Sequence, residues 1–226
     1  FSNLCNFKCL YCHPKASSSW QAEIQRHGPY QKIFNDYNFD GENIMREKDN
    51  VFVEAWKKWW KKIRNDLGGL RITGGEPLLH KTTYELLDNL VETAAPNLEL
   101  MVNSNLGVPH SIMGRFIERV QPIIAERKVQ SFKLYTSLEA WGKKAEYTRF
   151  GLDLKVWEKN LVDYLEKVPT GTVSFMCTYN VLSVTGFLDF LKKVHALRQK
   201  YCQQSRRIEI DISYLSEPHH LLMNLL

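Results

Sequence analysis

The sequence predicts an α/β fold, a parallel sheet whose connecting helices lie outside it. Three observations carry this. Apolar runs of strand length alternate with amphipathic runs of helix length over most of the chain. Glycines, prolines and polar residues punctuate the changes of period. Polar clusters recur where the strand-like runs end, the side on which parallel α/β folds place their sites. The alternation amounts to about six β/α units, which an open doubly wound sheet and a barrel satisfy equally.

Taken in order, a short first strand is expected before Cys5, and the loop CNFKCLYC follows it. Lys15 to Asn50 is a long polar segment with Ser17-Ser18-Ser19 and several Gly, Asn and Asp residues. An insertion of that length beside a strand end is expected to serve as a lid or substrate loop. The next helix carries Phe52, Trp56, Trp59, Trp60 and Ile63 along one side, with Lys57, Lys58, Lys61 and Lys62 largely on the other. This reads as a core stripe with a solvated lysine face; the competing reading is a basic, Trp-rich surface for RNA or a membrane. Gly68-Gly69 ends the helix, and Leu70 to Thr73 is a short strand leading into Gly74-Gly75. A helix from Thr82 to Ala94, with Tyr84, Leu87 and Val91 on one side, stops at Pro96. Leu98 to Asn103 is strand, Ser111 to Ala125 is helix with Pro122 ending or kinking it, and Ser131 to Ser137 is strand. Lys155 to Lys167, Thr172 to Tyr179, Val184 to Tyr201 and Arg207 to Ser213 complete the pattern as helix, strand, helix and strand.

Composition places the chain among globular proteins, with 44% hydrophobic and 24% charged residues in 226. No stretch approaches the roughly 20 apolar residues that cross a bilayer, and no charged-then-apolar signal segment opens the chain. No membrane partner is expected, and the cytoplasm is the default compartment. The net charge of +5 is mild and not concentrated, so it says little about nucleic acid. The chain starts at Phe1 without an initiator Met, so residues 1–226 read as one core domain with terminal segments missing.

Cys5, Cys9 and Cys12 stand close together, with three residues and then two between them. Three thiolates so spaced can hold an iron–sulfur cluster and leave one iron without a protein ligand, a place for a small molecule to bind and react. Zinc, with His13 as fourth ligand, is the alternative. A disulfide framework fits poorly, because five cysteines is an odd number and Cys177 and Cys202 stand alone. Further polar clusters close the later strands: Gly74-Gly75-Glu76, Asn103-Ser104-Asn105, Ser137 with Glu139, and Asn180. One shared mouth is the inference.

With CNFKCLYC and RITGGEP together, nearly the whole chain resembles the radical S-adenosylmethionine (SAM) superfamily, a resemblance that implies a partial (β/α)6 barrel. It also implies that Cys5, Cys9 and Cys12 ligate three irons of a [4Fe–4S] cluster while SAM chelates the fourth. Tyr11 matches an aromatic position near the adenine, or else packs the loop. Gly74, Gly75 and Glu76 match the motif that meets the methionine ammonium, and Asn103 with its neighbours matches a polar strand end facing SAM or a helix cap. Ser137 and Glu139 resemble a pair contacting the SAM carboxylate and ribose. Arg149 matches an arginine on that carboxylate, with a surface role as the alternative, and Asn180 a ribose-side position or a turn residue. Tyr214 to Pro218 would close the adenine pocket. The family's electron donors are flavodoxin or ferredoxin.

His13-Pro14 and FSNLCN resemble the branch whose members often carry twitch or SPASM extensions, although nothing after Ser213 supplies cysteines for a second cluster. Through that branch the resemblance implies a peptide or small-molecule substrate. Modification of a nucleoside or RNA is the competing function, and a zinc-stabilised binding module is the non-enzymatic one.

Overall fold

The computed structural model describes residues 2–28, 50–203 and 205–223. Along them run β1 (Lys8–Cys9), α1 (Ser18–His27), α2 (Val51–Ile63), β2 (Gly69–Ile72), α3 (Lys81–Glu92), β3 (Ala95–Ser104) and α4 (His110–Ala125). They continue with β4 (Val129–Ser137), α5 (Lys143–Thr148), β5 (Arg149–Phe150), α6 (Leu154–Lys167), β6 (Thr172–Tyr179), α7 (Val184–Tyr201) and β7 (Ile208–Tyr214).

One sheet runs β2-β3-β4-β6-β7 with every pair parallel. Each strand lies beside its predecessor in that sheet, so the right-handed crossovers put the helices on one face only. A doubly wound sheet needs a reversal of strand order, and there is none among the described strands. The sheet also curls. Arg71 on β2 reaches the sulfur of Met176 on β6 at 2.8 Å, although a flat sheet would separate their strands by three spacings, roughly 14 Å. Five parallel strands curled with helices outside make a partial barrel.

Alternation divides each strand between two environments. Leu98, Leu100 and Val102 of β3, Leu134 of β4 and Val173 and Phe175 of β6 are fully buried under the helices. Trp157 of α6 packs on Phe175 with ring centroids 5.9 Å apart, and Phe175 meets Phe190 of α7 at 5.6 Å. The opposite, concave face carries Arg71, Asn103, Lys133, Tyr135, Met176 and Glu209. A polar face turned inward is what a barrel interior that receives a ligand needs.

Two sequence expectations are corrected. No strand precedes Cys5 among the described residues, because that backbone is bonded elsewhere: Glu76 N–H donates to Leu4 O at 2.7 Å and Ser18 N–H to Asn3 O at 2.8 Å. The aromatic stripe of α2 is narrower than expected. Val53 and Trp60 are its buried centre, while Phe52 and Trp59 are 68% and 61% exposed, since a step of 100° per residue carries positions 52 and 59 to the margin of that face. The helix around Pro122 ends where expected, α4 running to Ala125 with the proline in its last turn. Of the expected lid, residues 29–49 lie outside the described residues, and the part before them folds as α1.

Candidate active site

The cysteine loop is held from below by the start of α1. Ser17 Oγ donates to Phe7 O at 2.7 Å and accepts from Trp20 N–H, capping the helix. Ser18 Oγ accepts from Cys5 N–H at 3.0 Å, and Ser19 Oγ donates to Cys5 O at 2.6 Å. The indole of Trp20 donates to Cys9 O at 2.9 Å. The serine run, read in the sequence as part of a polar insertion, is the clamp that shapes the loop. A cap and loop clamp in one run is visible only once α1 is placed.

Cys5, Cys9 and Cys12 border one cleft of about 320 Å³. Tyr11, Gly74, Gly75, Asn103, Ser137 and Arg149 line it with them, so most of the expected site residues meet at the C-terminal ends of the strands. Burial pushes the thiol of Cys5 up to about 11 and that of Cys9 up to about 12, and raises Cys12 as well. These sulfurs hold their protons until positive charge displaces them, which is how metal binding releases protons from a preformed thiol site. Among the described residues no three Cys, His, Asp or Glu side chains converge on one ion. Three thiols bordering one cleft are a donor set that fits an iron–sulfur cluster with one iron left open.

The glycine turn lies against the chain leading into Cys5. Gly75 has φ +41°, and a Cβ there would fall 2.2 Å from Leu4 O. Glu76 follows it, fully buried and behind the cleft rather than in its lining. Its Oε1 accepts from Leu78 N–H at 3.0 Å and Ser104 Oγ–H at 2.9 Å, and its Oε2 from Asn105 N–H at 2.6 Å. Burial raises its carboxyl to about 7 while the three donors pull the other way. Asn103 and Asn105 are also occupied: Asn103 Oδ1 accepts from Arg71 Nε at 3.0 Å, and Asn105 Oδ1 from Gly107 N–H at 2.8 Å, a side-chain turn.

Glu139 is buried outside the lining as well. Its Oε2 receives Arg149 Nη2 at 2.5 Å and Nε at 3.2 Å, and its Oε1 the Tyr11 hydroxyl at 2.9 Å. Burial works against the arginine's charge, and the Glu139 carboxylate outweighs it. Arg149 is therefore not a surface residue. Asn180 sits apart in a turn, its side chain donating to Thr178 O at 2.8 Å and accepting from Leu182 N–H at 3.0 Å. Residues 214–218 do not line the cleft, and Tyr214 is exposed. His13 borders the cleft, its Nδ1 accepting from Lys15 N–H at 3.0 Å.

Sequence reasoning passed over Arg71. Its guanidinium lies 4.2 Å over the ring of Tyr135, next to Asn103. No carboxylate among the described residues pairs with it. A lone charge inside the apolar strand LRIT was the available signal.

The family model described as the radical SAM superfamily matches residues 1–194. Among curated proteins, the chain is similar to the GTP 3',8-cyclase of Campylobacter lari, 31% identical over 104 residues, 45% of this chain and 25% of that protein. It is 28% identical over 101 residues to the GTP 3',8-cyclase of Nautilia profundicola, 45% of this chain and 24% of the relative. A probable GTP 3',8-cyclase of Saccharolobus islandicus is 19% identical over 156 residues, covering 68% and 42% of the two chains. The chain spans less than half the length of these relatives. No solved structure matches it significantly.

Proposed function

The chain belongs to the radical SAM superfamily, and from that premise we propose that it is a SAM-cleaving radical enzyme whose Cys5, Cys9 and Cys12 hold a [4Fe–4S] cluster. A cluster held by these three thiolates would supply one electron for reductive cleavage of the C5′–S bond of SAM, the chemistry that would yield methionine and a 5′-deoxyadenosyl radical able to abstract hydrogen from substrate. The observation that carries this reading is the single cleft shared by the three cysteines, the Gly74-Gly75 turn and the ends of β3 and β4.

The chain's own residues supply placement. The backbone of Gly74 and Gly75 admits close approach of an amino-acid moiety, and the strand ends there offer acceptors to an ammonium. Asn103 and Ser137 add polar groups to the floor, and Tyr11 an aromatic wall. Glu76 and Glu139 act from behind, the first tying the glycine turn to the end of β3, the second holding Tyr11 and Arg149. Enzymes of the family need a one-electron donor such as flavodoxin or ferredoxin. No helix among the described residues is long and apolar enough to cross a membrane.

The substrate sits on the concave face in this reading. Arg71, which has no carboxylate partner among the described residues and is stacked on Tyr135, suits an anionic group with a planar neighbour. That favours a nucleotide-like substrate, the class that the name GTP 3',8-cyclase gives for the relatives, over the peptide suggested by the twitch and SPASM resemblance.

Anaerobic reconstitution should yield a brown protein with about four irons per chain. Dithionite and SAM should then give 5′-deoxyadenosine, and Cys9→Ala should abolish it. Stoichiometric zinc without iron, or product surviving Cys9→Ala, overturns the reading. For the substrate, GTP binding that weakens about tenfold or more in Arg71→Ala, a loss of at least 1.4 kcal/mol, is expected. Equal binding by both proteins removes the nucleotide assignment.

A further inference from the structure

The two-stranded ribbon of β1 and β5 has no part in the barrel sheet, yet it sets one geometry. It is antiparallel, with Cys9 directly opposite Arg149. Opposed residues of an antiparallel pair project to the same side, and the guanidinium lies against the thiol, Arg149 Nη1 donating to Cys9 Sγ at 3.8 Å. The rest of the guanidinium is fixed from its far side, because Nε and Nη2 both bind Glu139 Oε2. Tyr11 occupies the other carboxylate oxygen, with its ring 5.3 Å from the guanidinium carbon. Cys9, Glu139 and Arg149 are buried, so solvent does little to screen the charges.

The other two sulfurs are treated differently. Cys5 Sγ receives neutral donors, Phe7 N–H at 3.5 Å and Asn105 Nδ2 at 4.0 Å. Cys12 Sγ has the His13 carbonyl at 3.7 Å. Among the described residues only Cys9 Sγ accepts from a charged donor; the charge of Arg149 also reaches Cys12, and it does not figure among the influences on Cys5.

Resting on the reading that this loop holds a cluster, we propose that Arg149 is a positioning residue that acts through Cys9, its charge raising the cluster's reduction potential, with Glu139 setting how much of that charge the sulfur feels. One-electron reduction adds one negative charge to the cluster. Hydrogen bonds to the sulfurs and nearby charge are among the levers that set such potentials. The Arg149–Glu139 pair presents its positive end to the sulfur and its negative end away, so it favours the reduced form by less than a bare arginine would. A low-potential one-electron donor of the flavodoxin or ferredoxin type can then fill the cluster more readily. This assigns Arg149 a task that precedes SAM binding, whereas the family resemblance places it on the SAM carboxylate.

The test is an EPR-monitored dithionite titration of the reconstituted protein without SAM, with iron and sulfide measured on each sample. Glu139→Gln, which removes the opposing charge and keeps the arginine, should shift the midpoint potential upward. The double variant Glu139→Gln/Arg149→Gln, which removes both charges without stranding either, should shift it downward from wild type. A purely structural pair would lower cluster content in both variants without shifts of opposite sign. Wild-type potential in the double variant, or shifts in the same direction, overturns the inference. Unchanged potentials with weakened SAM binding would return Arg149 to the SAM carboxylate. If the double variant retains no cluster, Glu139→Gln alone decides: a rise supports the inference, and no change or a fall overturns it. Wild-type protein that takes up no iron or sulfide would instead sink the underlying cluster reading.

Discussion

Gly75 shows how little room the site leaves between two pieces of backbone. The turn that carries it is anchored by Glu76 N–H on Leu4 O at 2.7 Å, and a Cβ would meet that same oxygen. Gly75→Ala should therefore cost about 2 kcal/mol or more, from the positive φ and from the displaced segment together. Because the displaced segment leads into Cys5, iron retained per chain after reconstitution should fall with the thermal midpoint. Full iron content at an unchanged midpoint would contradict this account. The motif itself was legible in the sequence, since two glycines before a glutamate signal a turn. The commitment of the glutamate was not, because its donors Ser104 and Asn105 lie 28 and 29 residues away.

At the scale of elements, α1 belongs to the site although the sequence placed its start in an insertion. Its cap residue Ser17 is fully buried and bridges the Phe7 carbonyl to the first turn. Ser17→Ala should cost about 1–2 kcal/mol, read as a lowered denaturant midpoint with unchanged slope. It should also shorten the lifetime of the reconstituted cluster in air, because the cysteine loop loses a fixed point. A lifetime equal to wild type would confine the serine to helix capping. The helices α2, α3, α4, α6 and α7 were legible as elements because each must bury one stripe. The ribbon of β1 and β5 was not. Two strands of two residues each are too short for any period to show.

For the whole molecule, strand order decides what the concave face can do. With the crossover helices on one side, the other face is left polar and the strand ends gather at one mouth. Trp157 holds this arrangement from the helical side. It packs on Phe175 of β6 and Trp141, and its indole N–H donates to Thr136 Oγ1 of β4 at 3.2 Å. Trp157→Ala should cost about 3–5 kcal/mol, through the cavity and the orphaned hydroxyl, measured by chemical denaturation. A loss under about 1 kcal/mol would mean that the layers of helix and sheet can close over the gap.

The sequence by itself determined the alternation of strands and helices, the three cysteines, the glycine turn and the places where strands end. Each is a property of neighbours along the chain, and periodicity or spacing reports it directly. Only the tertiary structure decided between a doubly wound sheet and a curled one, because strand order is not a local property. It also decided which charged side chains face the cleft and which brace it. Glu139 and Arg149 stand ten residues apart, and Arg149 and Cys9 are 140 apart. Pairing over such distances is set by the packing that buries both partners, and no local pattern of residue types carries it.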